Sequence, residues 1–268
     1  MAQETGTYLD RIIADKRVEL AAAQARTPQA EIERLAATAP PTRPFRQALA
    51  GPQVSLIAEV KKASPSRGVL REDFDPRALA TAYGIGGASA ISVLTDAKHF
   101  QGSLEHLRDI RGLGDSIPPL LRKDFLFDAY QVYEARAFGA DALLLIAAVL
   151  EPALLAELLA VTRSLGMDAL IEVHDAAEVG LTLKAGADLL GVNNRDLRTF
   201  NVDLATTERL RAAIPDSVTL VAESGVHTLA DVRRMQACGV NAILIGEALV
   251  TAADPIARIS ELFPHARD

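Results

Sequence analysis

At 268 residues, with 49% apolar and 24% charged side chains, the chain is long for an ordinary domain, normal for one α/β barrel, and too apolar to be disordered. Its 35 acidic against 28 basic residues leave a net charge of −7, which argues against a nucleic-acid partner or an anionic membrane. Any anionic ligand must then be held by a local arrangement of groups. A single cysteine, Cys238, excludes an intrachain disulfide framework and fits a reducing cytoplasm.

The chain opens with MAQETGTYLDRIIADKR, in which Glu4, Asp10 and Asp15 are spaced among apolar residues. That pattern predicts an amphipathic helix over about residues 5–25 rather than a signal peptide, and no apolar run reaches the roughly 20 residues of a membrane span. The expectation is a soluble, cytoplasmic protein with no membrane partner. A shorter helix around residues 31–37 and a Pro-rich stretch, Pro40-Pro41-Thr42-Arg43-Pro44, complete the first 50 residues. This is too little for an independent domain. Residues 1–50 are read as an N-terminal helical extension packed on a catalytic domain of residues 51–268, without saying on which end.

Beyond it one pattern recurs four times: Gly87 before ASAISVL, Gly139 before ADALLLI, Gly186 before ADLLGVN and Gly239 before VNAILIG. Each glycine closes a helical stretch, and the unbroken apolar run after it reads as a parallel strand covered on both faces. Cys238, just before Gly239, reads as packing. Four more strand-like runs fall between, at residues 54–60, 119–122, 169–173 and 218–222, with helical segments such as 129–138 and 152–165 in the gaps. A period of about 50 residues is therefore two βα units, and eight such units close a (β/α)8 TIM barrel. An open doubly wound sheet is the rival, but it rarely runs to eight regular units, and no GxGxxG fingerprint follows the first strand.

Active sites of such barrels sit at the carboxyl ends of the strands. All four odd strands end in charge there: Glu59 and Lys61, Lys123, Glu172, and Glu223. Alternate strands share a layer, so Glu59, Lys123, Glu172 and Glu223 are expected in one polar top layer, with Lys61 on the same face as Glu59. Buried Lys and Glu need partners, so this cluster reads as acid–base machinery, with a structural ion network as the alternative. Arg122 and Asp124, adjacent to Lys123, should point elsewhere.

After the seventh and eighth strands come Glu223-Ser224-Gly225 and Ile245-Gly246-Glu247, turns of small residues where barrels often bind phosphate through backbone N–H groups. Ser64, in the loop Ser64-Pro65-Ser66-Arg67-Gly68, is a third contributor unless that loop is simply a turn. At the end of the sixth strand Asn193 and Arg195 share a face and offer an amide and a fixed cation. Phe100 and Phe125 either line an aromatic pocket or pack in the core. His174 reads as incidental, and no spacing supports a metal site.

The segments IAEVKKASPSRG (57–68), SVLTDAKHFQGS (92–103), LLRKDFLFDAYQVYEA (120–135), LIEVHD (170–175), GVNNRDL (191–197), AESG (222–225) and LIGEAL (244–249) resemble the motifs of the indole-3-glycerol-phosphate synthase family from end to end. The resemblance implies a reaction without cofactor. In it, 1-(2-carboxyphenylamino)-1-deoxyribulose 5-phosphate closes to indole-3-glycerol phosphate with loss of CO2 and water, in tryptophan biosynthesis. It implies Lys123 as the general acid at the ribulose carbonyl and Lys61 as partner of the aryl carboxylate, with acid in the dehydration as a second role left open for Lys61. Glu59 and Glu172 are implied as the acid–base and cation-stabilising carboxylates, in an unassigned order. Glu223 and Asn193 are likened to ligands of the sugar hydroxyls, and Arg195 to a contact near the anthranilate end. Ser64, Ser224, Gly225, Gly246 and Glu247 fall at the phosphate positions, the last three through backbone N–H groups. The partner expected is this small phosphorylated substrate; a monomer is slightly favoured. A phosphosugar isomerase, a Schiff-base aldolase and a non-catalytic ligand-binding barrel are the rivals.

Overall fold

The structure, a computed structural model, describes residues 3, 5–196 and 198–264. Glu4, counted in the amphipathic reading of the first helix, lies outside them. Eight strands form the centre: β1 (Ser55–Val60), β2 (Ala90–Leu94), β3 (Leu120–Lys123), β4 (Ala142–Ile146), β5 (Asp168–Val173), β6 (Leu189–Asn193), β7 (Thr219–Glu223) and β8 (Ala242–Ile245). Each pairs in parallel with its sequence neighbours, and β1 pairs with β8, so the sheet closes and the open-sheet rival is excluded. The runs Leu56–Val60 and Ala142–Ile146 are buried throughout, as strands covered on both faces must be.

Around the barrel run α4 (Pro76–Gly86), α5 (Ala97–Phe100), α6 (Leu104–Arg111), α7 (Ala129–Ala137), α8 (Pro152–Ser164), α9 (Ala176–Lys184), α10 (Ala205–Arg211), α11 (Leu229–Ala237), α12 (Glu247–Val250) and α13 (Pro255–Leu262); α1 (Tyr8–Arg26), α2 (Gln29–Thr38) and α3 (Phe45–Ala48) precede β1. Several helices open on a side-chain cap: Asp75, Asp128, Asp175, Thr228 and Asp254 each accept from first-turn N–H groups. The four repeat glycines turn the chain from helix to strand at φ of 81° to 93°, a conformation that costs other residues energy. The sequence pattern did not register α5, α12 or the hairpin of Ala63–Ser64 with Gly68–Val69, which are too short to show a period.

The first 50 residues reach both ends of the barrel. At the amino end of the strands, Arg43 grips Asp141 through its backbone N–H at 2.7 Å and its guanidinium at 2.6 and 3.0 Å, and Arg46 N–H donates to Asp168 at 2.8 Å. Phe45 and Leu49 are fully buried there. At the opposite end α1 inserts Lys16, 4% exposed, whose ammonium lies 2.9 Å from Asp124 and 3.6 Å from Asp96. Asp124 also takes Thr95 at 2.6 Å and Arg122 at 3.1 Å, and Arg122 pairs with Glu134 at 3.0 Å. Arg122 and Asp124 thus turn away from Lys123, as alternation requires, into a separate buried network. The charges of Lys16 and Arg122, with the Thr95 hydroxyl, overcome burial and hold the Asp124 carboxyl down at about 2.

Candidate active site

The carboxyl ends of the odd strands converge. Lys123 Nζ lies 2.6 Å from Glu223 Oε2 and 3.3 Å from Glu172 Oε2, while Lys61 Nζ lies 2.7 Å from Glu59 Oε1. On β6, in register with Glu223, Asn193 donates its amide to Glu172 Oε1 at 3.2 Å and accepts the Arg195 backbone N–H at 3.0 Å. Glu59, Glu172 and Glu223 are all buried, at 4%, 3% and 1% exposure, so their mutual repulsion is offset by these cations and amides.

The charges are unequal in what they do to one another. Burial works against the Lys123 ammonium, but Glu223, Glu172 and Glu59 outweigh it and push its pKa above the ordinary lysine range. Burial likewise opposes ionisation of Glu172, yet Lys123, His174 and Asn193 hold it below the carboxylate range. Glu223 goes the other way: burial, with the nearby charges of Glu172 and Glu59, outweighs its contact with Lys123 and pushes it up to about 7. Its Oε1 is buried without a hydrogen-bond partner, which favours the neutral form.

A second group of residues sits between the ends of β1, β7 and β8. Ser224 and Gly225 follow β7 with φ of 65° and 88°, two left-handed residues in succession. A β-carbon on Gly225 would stand 2.3 Å from Val202. Gly246 precedes α12, whose first N–H groups have no carbonyl a turn earlier to bind. Ser64 forms the hairpin with Gly68, and Arg67 pairs with the Glu247 carboxylate at 2.7 Å, linking the loops after β1 and β8. Gly246 does more than bare a backbone: a β-carbon there would lie 2.3 Å from Glu59 Oε1 and 3.0 Å from Lys61 Nζ.

One cavity joins all of these. Glu59, Lys61, Ser64, Phe100, Lys123, Phe125, Glu172, Asn193, Arg195, Glu223, Ser224, Gly225, Gly246 and Glu247 line it, so every residue expected from sequence to act or bind borders one space. Phe100 and Phe125 face each other at a ring-centroid distance of 6.1 Å on its wall. The Arg195 guanidinium donates to the Phe200 carbonyl at 3.1 Å.

Sequence reasoning missed other contributors. Tyr8, Leu9 and Ile12 of α1 close one side of the cavity, a role that the periodicity of a surface helix does not reveal. Leu144 and Ile146 of β4 supply an apolar floor; their alternation on a strand was the available signal. His174, read as incidental, instead lies 3.2 Å from Glu172 and 3.3 Å from Glu178. A lone histidine carries no spacing that would announce this. Among the described residues no group of His, Cys, Asp and Glu is placed to hold a metal ion, and no helix is long and apolar enough to cross a membrane.

A closed parallel barrel with an acid–base cluster at the carboxyl ends of its strands defines a (β/α)8-barrel enzyme. Solved structures resemble it in fold alone: 3-hexulose-6-phosphate synthase from Salmonella typhimurium superposes with a TM-score of 0.62 at 15% identity, covering 78% of this chain and 96% of that one. The chain belongs to the indole-3-glycerol phosphate synthase family, whose sequence profile matches residues 9–262. It is 55% identical over 263 residues to the indole-3-glycerol phosphate synthase of Roseiflexus sp. (strain RS-1), covering 96% of this chain and 98% of the relative. It is 50% identical over 256 residues to the enzyme of that name from Dehalococcoides mccartyi (strain CBDB1), covering 95% and 99%.

Proposed function

We propose that this chain makes indole-3-glycerol phosphate by ring closure, with Lys123 as the acid that starts it. The activity is the family's carboxy-lyase reaction, and it belongs to tryptophan biosynthesis. The observation that carries the assignment of Lys123 is its ammonium, set between Glu172 and Glu223 on the cavity wall and held protonated by them. There it donates a proton to the ribulose carbonyl oxygen as the ring carbon bearing the carboxylate attacks the carbonyl carbon. The new C–C bond leaves a hydroxyl on the former carbonyl carbon and positive charge delocalised onto the ring nitrogen. Loss of CO2 returns the bonding pair to the ring. Departure of that hydroxyl as water, with loss of one proton from carbon, completes the indole.

The remaining residues fall into place around this reading. Glu172, held ionised, stabilises the iminium; Glu59, with Lys61, serves proton transfer in the dehydration. Ser64, Ser224, Gly225, Gly246 and Glu247 receive the phosphate, and Glu223 with Asn193 the sugar hydroxyls. Lys61 and Arg195 serve the aryl carboxylate, between walls formed by Phe100 and Phe125. Residues 1–50 act as a helical extension of the barrel domain, residues 51–268, with α1 as part of the substrate pocket. Lys123 paired to two carboxylates is a poor nucleophile, which speaks against the Schiff-base aldolase.

Single-turnover formation of indole fluorescence tests this. Lys123→Ala should lose about 10²–10⁴ in rate while a non-reactive analogue still binds within about tenfold. Lys123→Arg should not restore the rate, because a larger planar guanidinium cannot present its N–H at the point between Glu172 and Glu223 that the compact ammonium occupies. An Ala variant that turns over near the parent rate, or that loses only affinity, moves the acid to Lys61. Borohydride trapping with substrate should give no adduct.

A further inference from the structure

His174 contacts the acid–base cluster without bordering the main cavity. His174 follows β5, two residues after Glu172, and lines an adjacent cavity with Asp175, Glu178, Asn193 and Arg195. A ligand in the main cavity is therefore met by Glu172 and not by the imidazole behind it. The Nε2 atom lies 3.2 Å from Glu172 Oε1, and is buried with no aligned hydrogen-bond partner of its own. The Nδ1 atom faces Glu178 Oε2 at 3.3 Å, and that same oxygen accepts the His174 backbone N–H at 2.7 Å. Glu178 is thus fixed by the backbone, and it fixes the ring.

Glu172 has two oxygens with different duties. Oε2 faces Lys123, whose proton the proposed chemistry moves; Oε1 faces Asn193 and His174. If Lys123 gives up its proton, the Oε2 side loses a positive charge, and only the Oε1 side still holds the carboxylate in place. We propose that His174 is a positioning residue that holds Glu172 in place as an ionised carboxylate through the step in which Lys123 gives up its proton. Asn193 alone supplies a dipole at Oε1; His174 supplies a full charge.

The charge is available across the neutral range. Burial disfavours imidazolium, but the close carboxylates of Glu172 and Glu178 outweigh it and push His174 up to about 10. The charged groups nearest it are Glu172, two residues earlier on β5, and Glu178 from α9; the adjacent cavity is also lined by Asp175, Asp196 and Asp203 and by Arg195, Arg198 and Arg209. The carboxylates dominate, so the imidazole stays cationic until well above neutrality.

This inference rests on Glu172 acting in the reaction, so Glu172→Gln is measured beside His174→Ala and His174→Gln. For each variant, kcat and KM are followed against pH with the anthranilate-linked ribulose phosphate. Removing the imidazolium lets Glu172 protonate more readily, so the acid limb of kcat should move up by about one pH unit; the loss of its anchor at Oε1 should separately lower kcat at neutrality about tenfold, with KM within about twofold. The Gln variant retains a donor without charge. It should regain part of kcat while keeping the displaced limb, and it decides the matter if the Ala variant does not fold. Parent-like limbs in both variants, or a loss confined to KM, overturn the inference. If Glu172→Gln itself turns over normally, the assignment of Glu172 fails first; if it is inactive while both His174 variants match the parent, only the role of His174 fails.

Discussion

Glu59 Oε1 occupies the space that a side chain on Gly246 would need, 2.3 Å from where its β-carbon would be. Gly246 has φ of −115°, open to any L-residue, so the glycine is required there by space and not by backbone conformation. The obstructing atom is the end of a flexible side chain, so the fold can absorb a methyl group, and Glu59 must move to let it. Gly246→Ala should accordingly fold and melt within a few degrees of the parent while kcat falls by about 10² or more. A turn that served phosphate binding alone would instead show a raised KM with a smaller loss of kcat. Steady-state kinetics separate the two, since a change confined to KM would return Gly246 to phosphate binding alone.

Gly191 has the same relation to Glu223, with a prospective β-carbon 2.1 Å from Oε1 and 3.3 Å from Leu170 Cδ1. Here the displaced carboxylate is 1% exposed and has no solvent to turn to. Gly191→Ala should cost about 1–3 kcal/mol in urea unfolding, the range for overpacked interiors, as well as activity. A variant of parental stability would mean that Glu223 has somewhere else to go.

The pKa shifts give stability a direction with pH. Glu223, raised to about 7 from an ordinary 4.5, binds a proton in the folded protein where the unfolded chain has lost it, so stability falls as pH rises across that interval. His174, raised to about 10 from 6.5, acts alike: its contribution is full below 6.5 and is lost as pH rises through about 10. Glu172, lowered, contributes above 4.5 and loses that contribution in acid. Unfolding free energies at pH 5, 7 and 9 should therefore decline in both steps. Glu223→Gln should flatten the first and His174→Gln the second; slopes unchanged in these variants would contradict the assignments.

Lys16 is the charge on which the docking of α1 turns. Its removal leaves Asp124 and Asp96 buried without their ammonium, and breaking such a pair from one side costs about 3–5 kcal/mol. Lys16→Met should show a loss of that order in urea, and adding Asp124→Asn should recover part of it. If the single variant were as stable as the parent, water or a rearranged Arg122 would be supplying the missing charge.

How much of this was readable beforehand follows from the physics of each feature. The barrel was legible because the glycine-led strand repeats about every 50 residues and alternate strands end in charge, both of which are periodic. The cluster of Glu59, Lys123, Glu172 and Glu223 was legible for the same reason. What escaped was relational. Nothing local marks Gly191 and Gly246 as making room for carboxylates one strand away. Nothing local marks Lys16 as reaching Asp124 across more than a hundred residues, or His174 as charged. Tyr8 reaches the cavity only because α1 folds over the mouth, and its ring then meets His99 and Phe200 edge-on. Such pairings exist only once the chain is closed.

The bonds from the first 50 residues to both ends of the barrel also bear on the order in which the chain assembles. Arg46 meets Asp168, which is 122 residues later in the chain, and Lys16 meets Asp96 and Asp124. During synthesis at about 5–20 residues per second, α3 waits roughly ten seconds for Asp168 to emerge. The segment made first therefore docks in stages, and a ribosome-bound chain stopped before Asp168 should leave α3 more open to protease than α1, whose Lys16 already has Asp96 and Asp124 to meet.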